Sequence, residues 1–297
     1  MRIRDFTALR EQLANRPVPV LAIAGAEDKE IIQLAKGLAD EGQARSILVG
    51  DAAEIEALCK EADFRPEDIL GTSTPEAAAA LACGLVASGR AQVLMKGMLN
   101  TSVFLRAVVH PERGLRNGHL LSHLAALEIP GQDHLHFYTD GGMCPTPDLQ
   151  QKLGILQNAL GALHRMGYEC PKVAALAANE KIDPKIPASA DAAALQQMNR
   201  EGKLEGCLLE GPMAFDVAWS KEAAAHKHIE SRISGEVDLF LCPDIQAGNL
   251  TSKALIYGAG AKMAGVILGA THPIVLVSRA DDAEAKRNSL NLAYACL

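Results

Sequence analysis

Aromatic side chains are scarce in this sequence, and clusters of positive charge are absent. Phe, Trp and Tyr together make up 4% of the 297 residues, and the formal net charge is −7 with no run of lysine or arginine. Because nucleic-acid-binding proteins use basic surfaces and aromatic stacking platforms, neither DNA nor RNA is an expected partner. An anionic substrate would have to be held by individual arginines and helix N-termini.

Closely spaced cysteines are absent as well. The seven cysteines stand alone at positions 59, 83, 144, 170, 207, 242 and 296, and none forms a Cys-x-x-Cys pair. A zinc cluster or a disulfide framework is therefore not expected, and the nine histidines show no ligand spacing that predicts a metal site. Scattered single thiols suit a reducing compartment.

Long apolar runs are missing too. No stretch of about 18 apolar residues predicts a membrane span, and the first residues lack the apolar core of a signal peptide. We therefore expect a cytoplasmic protein that does not enter a membrane.

The sequence does contain a regular alternation of apolar, strand-like runs and helix-like patterns. Strands are predicted at 18–24, 46–49, 91–95, 134–139, 172–177, 206–209, 237–241 and 274–277. The main helices are predicted at 5–14, 74–88, 102–109, 146–166, 190–200 and 220–231, and another is predicted to open at Ala247-Gly248-Asn249. This order predicts the α/β class with a parallel sheet. A composition change near 128–133 indicates a domain boundary.

Polar residues follow several of the predicted strands. Ser278 and Arg279 end the last strand, Lys96 ends the strand at 91–95, and Asp216 lies six residues beyond the strand at 206–209. Ligands of open α/β sheets sit at the carboxyl ends of strands, so these residues are candidates for chemistry. Arginine suits phosphate because its planar fork donates two hydrogen bonds at once.

The turn Asn100-Thr101-Ser102 is a further candidate. It supplies hydroxyl groups and free backbone N–H groups at the start of a helix, which together favour an anion, and Arg106 lies one turn later on the same face as Ser102. Each candidate also has an ordinary structural interpretation. Asn100, Thr101, Ser102, Asp216 and Ser278 could be helix caps, while Lys96, Arg106 and Arg279 could be surface residues or members of ion pairs.

Several segments occur in an order that resembles one known family. They are Leu94-Met-Lys-Gly-Met-Leu-Asn-Thr-Ser102, Leu121-Ser-His123, Pro147-Asp-Leu149, Gly211-Pro-Met-Ala-Phe-Asp216, Ala247-Gly-Asn249 with Lys253, and Val277-Ser-Arg-Ala280. Together they resemble the phosphate acetyltransferase/butyryltransferase family, and the butyryltransferase branch more closely. Six ordered segments across most of the chain are far more specific than any single one.

The resemblance implies two α/β domains of the isopropylmalate-dehydrogenase-like type with an active cleft between them. We expect residues 1–130 with 265–297 to form the first domain and 131–264 the second. It also implies a homodimer or higher homo-oligomer that transfers a short acyl group between coenzyme A and phosphate, with coenzyme A as a substrate and neither a cofactor nor a metal.

Specific site residues follow from the resemblance. Ser278, Arg279 and Asp216 are the expected catalytic residues. The expected substrate-binding residues are Lys96, Asn100, Thr101, Ser102, Arg106, His123, Asn249 and Lys253.

Two departures from the family leave the base for the coenzyme A thiol open. The acetyl branch carries an aspartate seven positions after the serine of its Ser-Arg pair, where this chain has Ala285 with Asp281 and Glu284 nearby. Asp244 stands where the family often has asparagine. Two rival functions remain open: a coenzyme A ester-binding protein that has lost turnover because Ala285 replaces a base, and an NAD-linked decarboxylating dehydrogenase of the same general fold.

Overall fold

The computed structural model of the protein describes residues 2–276 and 281–297. Its helices are α1 (Phe6–Leu13), α2 (Lys29–Asp40), α3 (Ala52–Ala62), α4 (Pro75–Ala87), α5 (Thr101–Val108), α6 (Leu149–Arg165), α7 (Pro187–Arg200), α8 (Phe215–Trp219), α9 (Lys221–His226), α10 (Ile245–Ala259) and α11 (Ala283–Ala295). Its strands are β1 (Val20–Ala24), β2 (Arg45–Gly50), β3 (Asp68–Gly71), β4 (Val93–Lys96), β5 (Ser122–Glu128), β6 (His136–Thr139), β7 (Lys172–Leu176), β8 (Leu208–Met213), β9 (Leu239–Leu241), β10 (Lys262–Leu268) and β11 (Ile274–Val275).

The chain divides into two compact units. The middle unit contains the residues up to Phe6 and Leu120–Met263, and the flanking unit contains Thr7–His119 and Ala264–Leu297. The domain limits expected from the sequence stay a prediction.

In the flanking unit the strands lie in the order β3-β2-β1-β4-β11-β10. All neighbours are parallel except β10 and β11, which pair antiparallel. Every residue of β1 is buried, as expected for a parallel strand covered on both faces. Helix α2 follows β1, with Asp28 as its N-cap, and buries the side chains Ile31, Ile32, Leu34, Ala35 and Leu38.

In the middle unit the strands lie in the order β5-β6-β9-β7-β8. Strands β6, β9, β7 and β8 are parallel, and β5 pairs antiparallel with β6. One core cluster of this unit contains Tyr138, Phe240, Met213, Val217 and Ile233. The Tyr138 and Phe240 rings stack with centroids 4.7 Å apart.

The α/β class is confirmed, and the parallel pairing predicted from the first strand-helix-strand unit is present between β1 and β2. The sheet is mixed, because β10 pairs antiparallel with β11 and β5 pairs antiparallel with β6. Strands β3, β5 and β10 were not predicted. The sequences of β3 and β5 are short or mixed in polarity, and β10 begins within a glycine-rich segment, so the local pattern does not distinguish these strands from loops.

The prediction ended this strand at Leu209, but β8 runs to Met213. Gly211-Pro212 normally interrupts a strand, but β8 lies at the end of the strand order, where Pro is tolerated. Gly211 is required there because an added Cβ atom would lie 2.7 Å from the Cβ of Ala175 on β7. Asp216 therefore lies three positions beyond its strand and inside α8.

Candidate functional site

At the flanking unit's sheet edge, three parallel strands end side by side. Ala24 of β1 is level with Lys96 of β4, and Met95 of β4 is level with Val275 of β11. Among the described residues, Lys96 and the turn that follows it therefore begin beside the carboxyl end of β1.

Lys96 is buried, with 6% of its surface exposed, so its interpretation as a surface residue is wrong. Its Nζ atom donates hydrogen bonds to the carbonyl oxygens of Gly97 at 3.0 Å and Leu99 at 3.1 Å. Burying an ammonium group is costly unless hydrogen bonds compensate, so these carbonyl groups help to accommodate the charge. Lys96 thus helps to shape the turn that precedes the substrate-binding candidates on α5.

The same turn depends on two glycines. Gly25 has φ +71°, and an added Cβ atom would lie 2.7 Å from Cγ of Leu99. A Cβ atom on Gly97 would overlap the carbonyl oxygen of Gly25. Met98 N–H also donates to that oxygen at 2.7 Å, so the turn packs directly on the end of β1.

Helix α5 begins where the sequence predicts an anion site. Asn100 is the N-cap, and its Oδ1 accepts hydrogen bonds from the N–H and the hydroxyl of Ser102, both at 3.0 Å. The capping interpretation therefore holds for Asn100. Thr101, Ser102 and Arg106 are exposed at the surface of this helix. Exposed hydroxyls and a nearby guanidinium can bind an oxyanion at a helix N-terminus.

Ser278 and Arg279 lie outside the described residues. The helix that follows them, α11, is capped by Asp282, whose Oδ1 accepts the N–H of Ala285 at 2.7 Å. Ala285 therefore occupies the first turn of a capped helix.

At the middle unit's sheet edge, the antiparallel strand β5 brings His123 to the carboxyl end of β6. Ala125 pairs with Tyr138, so the start of β5 lies beside the end of β6. The Thr139 hydroxyl donates to the carbonyl oxygen of His123 at 2.8 Å. The His123 ring lies against Gly142, where an added Cβ atom would be 3.1 Å from its Cγ.

Helix α10 brings Asn249 and Lys253 to this edge. The helix begins at Ile245 with Asp244 as its N-cap, so Ala247 and Gly248 lie in its first turn and Asn249 begins the second. Asn249 Nδ2 donates to the carbonyl oxygen of Gly141 at 3.2 Å. Lys253 lies one turn later and is exposed. The structure thus brings His123 and Asn249 to the same loop after β6, although 126 positions separate them.

Asp216 lies on α8 and is exposed. Its carboxylate is 3.0 Å from Nζ of Lys227, which also contacts Glu180 at 3.0 Å. The hydrogen bond from Lys227 is the main reason why the pKa of Asp216 is lowered. A carboxylate with a lowered pKa is a weaker base, so this environment suits an orienting role better than a deprotonating one.

The sequence interpretation missed Asp140, which follows β6 directly. Its buried carboxylate accepts three backbone N–H groups from the loop that His123 and Asn249 contact. A polar residue followed by two glycines after an apolar strand was the available signal, since such a pattern is typical of a tight strand-end loop.

The comparison with known families decides the identity. Residues 72–294 match the family model described as phosphate acetyl/butaryl transferase. The chain belongs to this family. The family predicted from the ordered segments is therefore confirmed.

Relatives extend the similarity to almost the whole chain. The chain is 43% identical over 293 residues to a probable phosphate butyryltransferase from Bacillus subtilis, covering 99% of this chain and 97% of that protein. It is 38% identical over 293 residues to a phosphate butyryltransferase from Clostridium acetobutylicum, covering 98% and 97%. The crystal structure of a branched-chain phosphotransacylase from Enterococcus faecalis superposes with a TM-score of 0.84 at 32% identity, covering 94% of this chain and 99% of that one.

Within the described residues, no helix has the length and apolar character needed to cross a membrane. The same part of the chain contains no cluster of three or more His, Cys, Asp and Glu side chains that could hold a metal ion.

Proposed function

We propose that the protein is an acyl-CoA:phosphate acyltransferase that acts on butyryl-CoA or a similar short-chain ester. The observation that carries this proposal is the similarity, over nearly the full length, to phosphate butyryltransferases. Acyl-CoA and phosphate are then the substrates, and acyl phosphate and coenzyme A are the products of a reversible reaction. Coenzyme A is a substrate, and the proposal includes neither a resident cofactor nor a metal.

The proposed reaction is a direct transfer in a ternary complex. A phosphate oxygen attacks the thioester carbonyl carbon, and the carbonyl oxygen becomes an oxyanion in a tetrahedral intermediate. The C–S bond then breaks, acyl phosphate leaves, and the coenzyme A thiolate takes up a proton. Such a path needs groups that hold phosphate, stabilise the oxyanion and handle the thiol proton.

We assign these tasks to the candidates at the strand ends. Arg279 and Arg106 hold phosphate, and Ser278 with Arg279 stabilises the oxyanion. The exposed start of α5, with Thr101 and Ser102, supports an additional anion contact there. Lys96, Asn100, His123, Asn249 and Lys253 complete the proposed substrate-binding set. Asp216 orients groups rather than removing the thiol proton, since Lys227 lowers its pKa.

The domain organisation, the oligomeric state and the cellular location are also part of this proposal. Two α/β domains of the isopropylmalate-dehydrogenase-like type with a cleft between them, and a homodimer or higher homo-oligomer, follow from the family resemblance. A cytoplasmic location is supported by seven cysteines that are all free thiols.

The first test measures thiol release from butyryl-CoA with and without phosphate, using a thiol reagent. Cys170 is exposed, so a Cys170→Ser background removes a protein thiol that would also react with the reagent. Phosphate-dependent release is expected, and acetyl-CoA and longer esters then establish the chain preference. If no ester gives thiol release but butyryl-CoA still raises the melting temperature, the result would favour the impaired binding protein. Protection by NAD or a divalent metal would favour the dehydrogenase.

Arg279→Ala tests the residue assignment. We expect kcat/KM to fall by about 100-fold or more, because a donor to a developing negative charge is lost. Arg165→Ala, at an exposed position near the end of α6, is the matched control and should leave turnover unchanged. Full phosphate-dependent turnover in Arg279→Ala would show that Arg279 has no catalytic role.

A further inference from the structure

The carboxylate of Asp140 organises the loop that follows β6. Asp140 is 2% exposed, and its Oδ1 accepts the N–H groups of Gly142 at 2.7 Å and Met143 at 2.9 Å. Its Oδ2 accepts the N–H of Cys144 at 3.1 Å. Three charge-assisted hydrogen bonds from consecutive residues fix the path of the backbone from 142 to 144.

This loop contacts His123. The Gly142 position is so close to the His123 ring that an added Cβ atom would be 3.1 Å from Cγ. The sulfur of Cys144 lies 3.5 Å from the carbonyl oxygen of Leu121, two residues before His123. The path of the loop therefore determines where the His123 ring can lie.

The same loop also contacts the first turn of α10. An added Cβ atom on Gly248 would lie 2.6 Å from the carbonyl oxygen of Asp140 and 2.8 Å from Cα of Gly141. The Asn249 side chain donates to the Gly141 carbonyl oxygen at 3.2 Å. Any side chain at 248 would separate helix and loop, so glycine permits the close approach that this hydrogen bond needs.

We propose that Asp140 is a positioning residue for acyl transfer, acting through His123 and Asn249. The inference rests on the proposed function, in which both of these residues bind substrate. Asp140 itself is buried beneath its loop and does not need to touch substrate. It fixes the loop backbone, and the loop fixes the two side chains relative to each other.

The key variant is Asp140→Asn, which keeps the size of the side chain. It removes the charge, and its amide group presents N–H donors where one carboxylate oxygen accepted a backbone N–H. Asp238→Asn is the matched control in the same unit. Asp238 is 3% exposed and accepts the Lys172 N–H and the Arg2 Nε–H, both at 2.7 Å. It precedes β9, whereas Asp140 follows the parallel strand β6, so the two carboxylates lie at opposite ends of these paired strands.

We expect both variants to lower the melting temperature, but only Asp140→Asn to change the kinetics of the folded enzyme. Its kcat/KM for butyryl-CoA should fall by about 10-fold or more, because a displacement of about 1 Å in a binding group is enough for such a loss. Asp238→Asn should change kcat/KM by less than about 2-fold. Gly142→Ala gives a second test that leaves the carboxylate intact, since its methyl group presses on the His123 ring and should also reduce kcat/KM.

A double-mutant cycle separates positioning from general damage. If Asp140 acts through the two side chains, Asp140→Asn should cost little further activity in a His123→Ala/Asn249→Ala background. Multiplicative losses in the cycle, or equal kinetics for Asp140→Asn and Asp238→Asn, would overturn the positioning role while leaving the acyltransferase intact. Absence of phosphate-dependent thiol release in the wild-type protein would instead overturn the proposed function, and the positioning role with it.

Discussion

At the scale of single residues, burial decides what a polar side chain can do. The sequence leaves Lys96 open as a substrate-binding candidate or a surface residue, and the structure buries it and directs its ammonium group to two carbonyl oxygens. Asp216 shows the opposite case, because it stays exposed and pairs with Lys227. The sequence identifies both as charged residues near strand ends, but it does not show their burial or their hydrogen-bond and ion-pair partners.

The buried tyrosines Tyr138 and Tyr168 give a matched pair of stability predictions. Among the described residues, the buried Tyr138 hydroxyl has no hydrogen-bond partner, whereas the Tyr168 hydroxyl accepts the Ile3 N–H at 3.0 Å. Tyr138→Phe should therefore keep the free energy of unfolding or raise it, while Tyr168→Phe should lower it by about 1 kcal/mol by leaving the Ile3 N–H unpaired. Urea denaturation measures both. Equal losses in the two variants would contradict the prediction.

At the scale of elements, glycines mark where two backbones meet. Gly97 and Gly248 each lie against the backbone of another segment, at the start of the turn before α5 and in the first turn of α10. Both belong to sequence segments that resemble the family. The structure supplies a physical reason for glycine at these positions that is independent of the resemblance.

Gly97→Ala and Gly84→Ala should change stability in opposite directions. A methyl group on Gly97 would overlap the Gly25 carbonyl oxygen, so we expect a loss of about 2 kcal/mol or more from backbone displacement. Gly84 lies inside α4 with open space around the added methyl group, and alanine there should stabilise the helix by about 0.5–1 kcal/mol. Thermal or urea unfolding of the two variants tests this. A neutral Gly97→Ala would show that the turn can move away from β1.

At the scale of the whole molecule, the free energy of unfolding should fall in mild acid because His136 is buried. The ring is 4% exposed and lies near His134, Trp219 and Phe240. Burial, followed by the charge of His134, lowers the pKa of His136 to about 4. Arg2 lowers it further, while Asp133 and the Val237 carbonyl oppose the change.

The sign follows from proton binding. Above the unfolded pKa of about 6.5 neither state binds a proton at this residue, but between about 6.5 and 4 only the unfolded state does. The contribution of His136 to the free energy of unfolding is therefore fully present at neutral pH. It decreases as the pH falls, by on the order of 3 kcal/mol in total. Urea unfolding at several pH values should show a smaller decrease in His136→Gln than in the wild type. His226→Gln, at an exposed position near the end of α9, is the control. Parallel pH curves for His136→Gln and wild type would contradict this origin.

The α/β class, most helices and strands, and the family could all be predicted from the sequence. Apolar runs such as β1 and capped helices such as α4 are set by local periodicity and by residues next to them in the chain. The six ordered segments from Leu94 to Ala280 were enough to indicate phosphate acyl transfer.

The contacts between these residues, by contrast, depend on how the chain folds in three dimensions. The antiparallel direction of β5 brings His123 to the end of β6, and Gly248 allows α10 to bring Asn249 to the same loop. The structure also shows that Asp140 links the two, because its three hydrogen bonds hold the loop that both residues contact. Such contacts join residues far apart in the chain, and their energies depend on burial and distance, which no local pattern of side chains records.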